Sequence, residues 1–160
     1  MMEIVTNEEQ LRVPTVFVDD GEDITEIVDN LFREMQERDA QGLAANQLGY
    51  DLSVFVMKLR QDTTICIVNP VITKTRGSYL ADERCLSLPR VIVRVKRSAE
   101  VKVKGVNRYF KPVSYRFRGI EARRACHEID HLLGKLITDY KVSEIKKLEE
   151  EEKKDDSSST

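Results

Sequence analysis

Cys126-His127-Glu128-Ile129-Asp130-His131-Leu132-Leu133-Gly134 contains both histidines of this 160-residue chain. It reads as His-Glu-x-x-His. On a helix, positions four apart share a face with Cβ atoms about 6 Å apart, so two imidazoles can reach one metal ion. Glu128, one residue past the first histidine, then stands beside whatever water the ion binds. The flanks support a helix. Residues 121–133 lack Gly and Pro, Ala122, Cys126, Ile129 and Leu133 recur at helical spacing, and Gly134 is placed as a stop. Two histidines leave a catalytic metal one protein ligand short. With no third histidine in the chain, that ligand is Cys85 or a carboxylate.

Composition narrows the setting. A chain of this length is expected to form one domain with a proper core. Lys and Arg number 26 against 28 Asp and Glu, for a formal charge of −2 with both signs interspersed. That balance gives no electrostatic footprint for nucleic acid. The sequence has no apolar run long enough for a membrane and no signal-peptide pattern at Met1, so a soluble protein acting where it is made is expected. Cys66, Cys85 and Cys126 are odd in number and far apart, which argues against a disulfide framework and for a reducing compartment.

Residues 1–22 read as a mostly polar arm with a β-prone run at Thr15-Val16-Phe17-Val18. Asp23 suits an N-cap, with Glu26 three residues on as in a capping box. Ile24, Ile27, Val28, Leu31, Phe32 and Met35 then mark an amphipathic helix of about four turns that ends before Gly42. Strands are expected over 53–58, 64–68, 71–75, 91–95, 100–106 and 112–118, the second stopping at Asn69-Pro70, with Gly77, Gly105 and Gly119 near turns. Helix, antiparallel-rich strands and a central His-Glu-x-x-His helix define an α+β domain. Past Tyr140 the composition changes: 141–154 is dominated by Lys and Glu and suits a solvated helix, and 155–160 suits a disordered end. The expected division is a catalytic domain over 1–140 and a charged tail over 141–160.

Two further stretches carry chemistry. Glu83-Arg84-Cys85-Leu86-Ser87-Leu88-Pro89 offers a thiolate, softer than a carboxylate and suited to Fe(II), Zn or Co. Cys66 and Cys126 read as small buried apolar residues. Gly42-Leu43-Ala44-Ala45-Asn46-Gln47-Leu48-Gly49 reads alone as a loop with an alanine-rich turn, offering flexible backbone and an amide side chain. Together, Gly-Leu-Ala-Ala-x-Gln, Glu-x-Cys-Leu-Ser and His-Glu-x-x-His-Leu-x-Gly resemble the three motifs of the peptide deformylases, in family order and at family spacing, over about residues 4–140.

The resemblance implies a metal held by Cys85, His127 and His131, and removal of the formyl group from the initiator methionine of nascent peptides. It implies one divalent ion, Fe2+ in the native enzyme, with Zn2+, Ni2+ or Co2+ able to substitute. Glu128 would carry the proton from the attacking water to the leaving amine. The side-chain amide of Gln47 and the backbone N–H of Leu86 would stabilise the oxyanion. Gly42, Glu83 and Arg84 would lie against the peptide. The partners implied are formylmethionyl peptides, with no direct nucleic-acid or membrane contact, for a monomer in the cytoplasm of a bacterium or of a phage's host. Asp39 and Arg97 match a charged pair that braces the first motif in relatives. The departures are Gln41 at a usually apolar position, Arg84 for Gly, Cys126 for Gln, and Glu121, Arg123 and Arg124 where the family is mostly apolar and lines the methionine pocket. Rival readings are a small metallopeptidase, which usually takes a third ligand downstream of the motif, and a catalytically silent peptide-binding module, in which Glu128 would have no task.

Overall fold

Alternation of side chains along the central strands sorts the core into two layers. The computed structural model describes residues 1–140 and the backbone of Lys146–Lys147. Its helices are α1 (Glu8–Leu11), α2 (Thr25–Glu37) and α3 (Ile120–Leu132). The strands are β1 (Gly42–Ala44), β2 (Val54–Lys58), β3 (Thr64–Arg76), β4 (Tyr79–Cys85), β5 (Leu88–Arg97), β6 (Glu100–Val106), β7 (Pro112–Arg118) and β8 (Lys146–Lys147). A five-stranded antiparallel sheet runs in the order β1-β2-β3-β6-β7. On β2, Val54 and Val56 point to the layer of α2, with Val28, Leu31 and Met35, whereas Phe55 and Met57 point to the layer of α3, with Ala122, Ala125 and Ile129. Hence β2 is apolar at every position from Val54 to Met57. On β6 and β7 the α3 side is covered, and the other side only at Val106. Val101, Val103 and Phe117 are buried, while Lys104, Arg116 and Arg118 face out.

The helix boundaries differ slightly from those expected. Asp23 does bond the start of α2, its Oδ1 accepting the Thr25 N–H at 3.1 Å, but Ile24 occupies the N-cap position. The strands expected at 64–68 and 71–75 are one strand. Asn69, at φ 52°, uses its side chain to bond both the N–H and the carbonyl of Val18, so the chain passes Pro70 with a shift in pairing register. Thr15-Val16-Phe17-Val18 is not a strand: Val16 forms a lone bridge to Leu52, while the Thr15 N–H and hydroxyl both donate to the Leu132 carbonyl at 2.9 Å. Gly134, at φ 77°, ends α3, and any Cβ there would collide with the Arg12 carbonyl. No helix among the described residues is long and apolar enough to cross a membrane.

A second, smaller sheet carries the cysteine motif. β4 and β5 form a hairpin paired from Tyr79↔Arg97 to Cys85↔Leu88, closed by Leu86 and Ser87. Cys85, Leu88, Val93 and Val95 pack with Leu11, Leu136 and Ile137. β8 adds to β5 at Val91 and Ile92. The helix and disordered end expected over 141–160 lie outside the described residues, except that Lys146–Lys147 pairs as a strand.

One arginine fastens this hairpin to α3. Arg97 donates from Nε and Nη2 to the two oxygens of Glu83, each at 2.7 Å, and from Nη1 to Asp130 Oδ2 at 2.5 Å. The Tyr140 hydroxyl donates to Asp130 Oδ1 at 3.1 Å, and the guanidinium lies 5.0 Å from the Tyr140 ring centroid. Arg97 is therefore not the partner of Asp39. Asp39 is on the far side of the cleft, with its side chain 94% exposed and 3.5 Å from Lys58. Arg94, three residues before Arg97 on the same strand, pairs with Asp82 at 2.9 Å, both side chains being 55% exposed. Burial decides what each pair contributes. Arg97→Leu leaves two buried carboxylates uncompensated and should cost about 3–5 kcal/mol, whereas Arg94→Leu should cost under about 1 kcal/mol. Urea unfolding of the two variants checks this, and equal midpoints would refute the assignment.

Candidate active site

α3, the end of β4 and the turn after β1 converge on one point. α3 brings His127 and His131 to one face, and β4 places Cys85 opposite them. The donor atoms of these three residues lie within 4.8 Å of one another, with Cys85 Sγ 3.2 Å from His131 Nε2 and the two imidazole centroids 5.1 Å apart. A soft sulfur and two imidazole nitrogens, gathered in a buried place, form a donor set that fits a divalent transition metal. Among the described residues, no other group of three or more metal-ligating side chains is gathered closely enough to hold an ion.

The surroundings orient the imidazoles. His127 Nδ1 lies 3.1 Å from Glu83 Oε1. Burial opposes the charge of Glu83, but the bonds from Arg97 and His127 outweigh it and hold the carboxyl near pKa 2. An ionised Glu83 accepts a hydrogen bond from Nδ1–H, which keeps that proton on Nδ1 and leaves Nε2 for the site. The His131 carbonyl accepts from Asn46 Nδ2 at 2.6 Å, which ties the helix to the first motif.

Glu128 is 5% exposed, and its Oε1 has no hydrogen-bond partner among the described residues. Burial pushes its carboxyl up to about 7, against the lowering effect of His127. A carboxyl poised there can take and return a proton at neutral pH. Gly42 makes this placement possible: a Cβ at that position would stand 2.6 Å from Glu128 Oε2. The loop expected around Gly42 is instead β1 followed by a turn of 3-10 helix, Ala45–Leu48. There Gln47 Oε1 accepts the Ala44 N–H at 3.0 Å, so Nε2 is aimed at Ser87 Oγ (3.2 Å) and Cys85 Sγ (3.7 Å). A cleft of about 630 Å3 opens in front, lined by Gly42, Arg84, Leu86, Arg123 and Arg124 among others.

Of the residues singled out in the sequence, Cys85, His127, His131, Glu128, Gln47, Gly42, Leu86 and Arg84 meet at this cleft or its floor. Glu83 differs from expectation. Its carboxylate is spent on Arg97 and His127 and is buried, so the side chain orients an imidazole rather than meeting a peptide. Cys66 and Cys126 are buried apart from the donor trio, in the α2 and α3 layers, where burial raises their thiols to about 12 and about 11. Sequence reasoning missed Asp130, Asn46 and Ser87. Asp130 left one signal, an acid between the two histidines that must be buried if they are.

Known proteins match this arrangement over most of the chain. The sequence profile of the polypeptide deformylases matches residues 1–148. A peptide deformylase from Thermodesulfovibrio yellowstonii is 37% identical over 129 residues, 78% of each chain. The crystal structure of a peptide deformylase from Legionella pneumophila superposes with a TM-score of 0.82 at 33% identity, covering 88% of this chain and 85% of that one. A probable peptide deformylase from a synechococcus phage gives 0.80 at 33% identity, covering 88% and 99%. Motif order, the meeting of the three motifs and these likenesses agree: the chain belongs to the polypeptide deformylases, metal-dependent hydrolases that remove the N-formyl group of nascent peptides.

Proposed function

We propose that Cys85, His127 and His131 hold one divalent ion and that the cleft above them deformylates peptides beginning with formylmethionine. The convergence of one thiol and two imidazoles beside an unpartnered buried carboxyl carries this reading. When bound, the ion supplies Lewis acidity, making water nucleophilic near neutral pH and polarising the formyl oxygen. Glu128 takes a proton from the attacking water and delivers it to the leaving amine, and its buried place beside the donor trio suits both steps. Gln47 donates to the developing oxyanion. Its amide is already locked by Ala44, so little reorganisation is needed. The Leu86 N–H, in the turn right after Cys85, is the second donor. Gly42 and Arg84 border the peptide.

Fe2+ is the resident ion in this reading, with Zn2+, Ni2+ or Co2+ able to substitute, since all accept thiolate and imidazole. The enzyme works as a monomer in the cytoplasm of a bacterium or of a phage's host. Residues 1–140 form the catalytic domain and carry every group assigned to the site, and 141–160 are a charged tail in this reading.

Three experiments test these roles. Cys85→Ser should lower formate release from a formyl-Met peptide by orders of magnitude, because a neutral hydroxyl is a poor ligand at neutral pH. Cys66→Ser and Cys126→Ser should retain much of the activity, and wild-type turnover in Cys85→Ser would sink the ligand assignment. Glu128→Gln should keep one equivalent of metal through dialysis yet lose at least about 100-fold in kcat, the range of general acid–base catalysis. Loss of metal instead would make Glu128 a ligand. A chain ending at residue 148 should keep kcat/KM on short formyl peptides within about twofold, as expected where no site residue is removed. A tenfold loss would place part of 149–160 on the catalytic domain.

A further inference from the structure

The far end of the five-stranded sheet has a side that neither α2 nor α3 covers. There the strand pairing sets Lys74 beside Lys102 and Lys102 beside Arg116. It also sets Arg76 beside Glu100 and Glu100 beside Arg118, while Lys104 stands between Val71 and Ser114. Directly opposed residues share a face, and Val101, Val103 and Phe117 between them are buried under α3. All six cations therefore project away from α3. Glu100 is the acid of this array, and its Oε1 is shared by Arg118 at 3.3 Å and Arg116 at 3.7 Å. Lys74, Arg76, Lys102 and Lys104 have no ion-pair partner among the described residues. The acids that border the array from the α2 layer are Asp29, taken by Arg108 at 2.7 Å, and Asp19 and Asp20, which follow Val18 beside Asn69.

Like charges directly opposite one another destabilise a sheet, and neighbouring strands lie only about 4.8 Å apart. Stability gives no reason for a row of Lys74, Lys102 and Arg116; a polyanion laid across it does. Alternation along β6 and β7 gathers the charges, and acids elsewhere cancel them in the chain's total of −2, so composition gives no sign of the face. The face is open. Its one hollow, between Lys74, Glu100 and Arg116, holds about 60 Å3, which suits an extended polymer better than an enclosed small anion. At the tip of the β6–β7 hairpin Tyr109 is 73% exposed. Asn107 Oδ1 fixes that tip, accepting the N–H of Tyr109 at 2.9 Å and that of Lys111 at 3.1 Å. An aromatic ring held out beside cations is a stacking platform for an unpaired base. The array itself carries Val71 as its exposed large apolar side chain, too little to anchor in a bilayer.

We propose that this face of β3, β6 and β7, with Tyr109 at its edge, binds single-stranded RNA through its phosphates. Two features favour RNA over other polyanions: the stacking ring, and the nascent peptides on which this family acts, which are made in contact with RNA. The second feature rests on the deformylase reading. Because α3 lies across the sheet, a strand held here leaves the cleft open.

The test follows binding of a short fluorescent single-stranded RNA to the full chain by anisotropy. With Lys74, Arg76, Lys102 and Lys104 each on one phosphate, log Kd should rise with log salt at a slope of about 3. Lys102→Glu combined with Lys104→Glu should weaken binding at least about tenfold, and Tyr109→Ala about fivefold. Lys96→Glu combined with Lys135→Glu, on exposed positions of β5 and just after α3, changes the net charge equally and should move Kd less than about twofold. Should the first pair fail to fold, Arg116→Gln combined with Arg118→Gln decides, with about threefold weakening expected and an unchanged Kd overturning the proposal. No binding at low salt, equal losses in the face and control pairs, an unchanged Kd in Tyr109→Ala, or tighter binding to phosphatidylserine vesicles or polyglutamate than to RNA would also overturn it. Formate release from a short formyl peptide, read alongside, should be equal in all variants, and its absence in the wild type would overturn the deformylase reading alone.

Discussion

The guanidinium of Arg97 is the constraint on which the site depends. It is 4% exposed, and it lies between two carboxylates contributed by different elements, Glu83 of β4 and Asp130 of α3. Taking three charges out of water is costly, and only near-complete pairing offsets that cost. Here the pairing is near complete: both oxygens of Glu83 are bonded by Arg97, and Asp130 is shared with Tyr140. The network contributes position more than stability. It fixes the hairpin against the helix, so the thiol of one faces the imidazoles of the other. It also keeps Glu83 ionised, and an ionised Glu83 sets the tautomer of His127. Two-thirds of the donor trio thus depends on a residue that touches none of its donor atoms.

Much of this was legible in the sequence, and the failures have physical causes. β6 and β7 are covered on one side and, except at Val106, bare on the other, so their alternation is clean and their limits, 100–106 and 112–118, were read correctly. β4 was missed. Its inward positions include Glu83, which is buried only because Arg97 is there, and its outward positions include Leu80, 59% exposed. A strand whose buried face carries a charge and whose exposed face carries a leucine has no apolar period to find. The same partner problem misdirected Arg97 to Asp39, since sequence spacing cannot show which of several acids a long side chain will reach across the fold. Asn69-Pro70 looked like a strand end because Pro removes a ladder donor. The Asn69 side chain compensates by bonding Val18, a contact 51 residues distant. The three residues that meet as a donor set were legible because the chain has only two histidines and because the stretch around Cys85 resembles a known motif.

Gly42 shows how closely the first and third motifs are fitted. The space a methyl group would occupy is filled by the Glu128 carboxylate, so the backbone of β1 forms part of the wall around that side chain. That wall stands against Glu128 Oε2, and burial is what raises the carboxyl to about 7. A glycine that the sequence marks as backbone freedom near substrate is, in the fold, a determinant of acidity. The first motif therefore acts twice, through the Gln47 amide on one side and through the absence of a side chain on the other.

The clasp between the arm and the end of α3 ties the two ends of the described chain together. Thr15 holds the Leu132 carbonyl across 117 residues, and Arg12 holds Asp139 across 127. The residues synthesised first thus finish the element synthesised nearly last. Closing such long loops costs little more than closing shorter ones, but contacts this far apart in sequence form late and slowly. During translation the five-stranded sheet can assemble up to β7 while the arm waits with nothing to grip. A fragment that stops short of α3 lacks both histidines and Glu128, and it leaves one face of the five-stranded sheet without its cover.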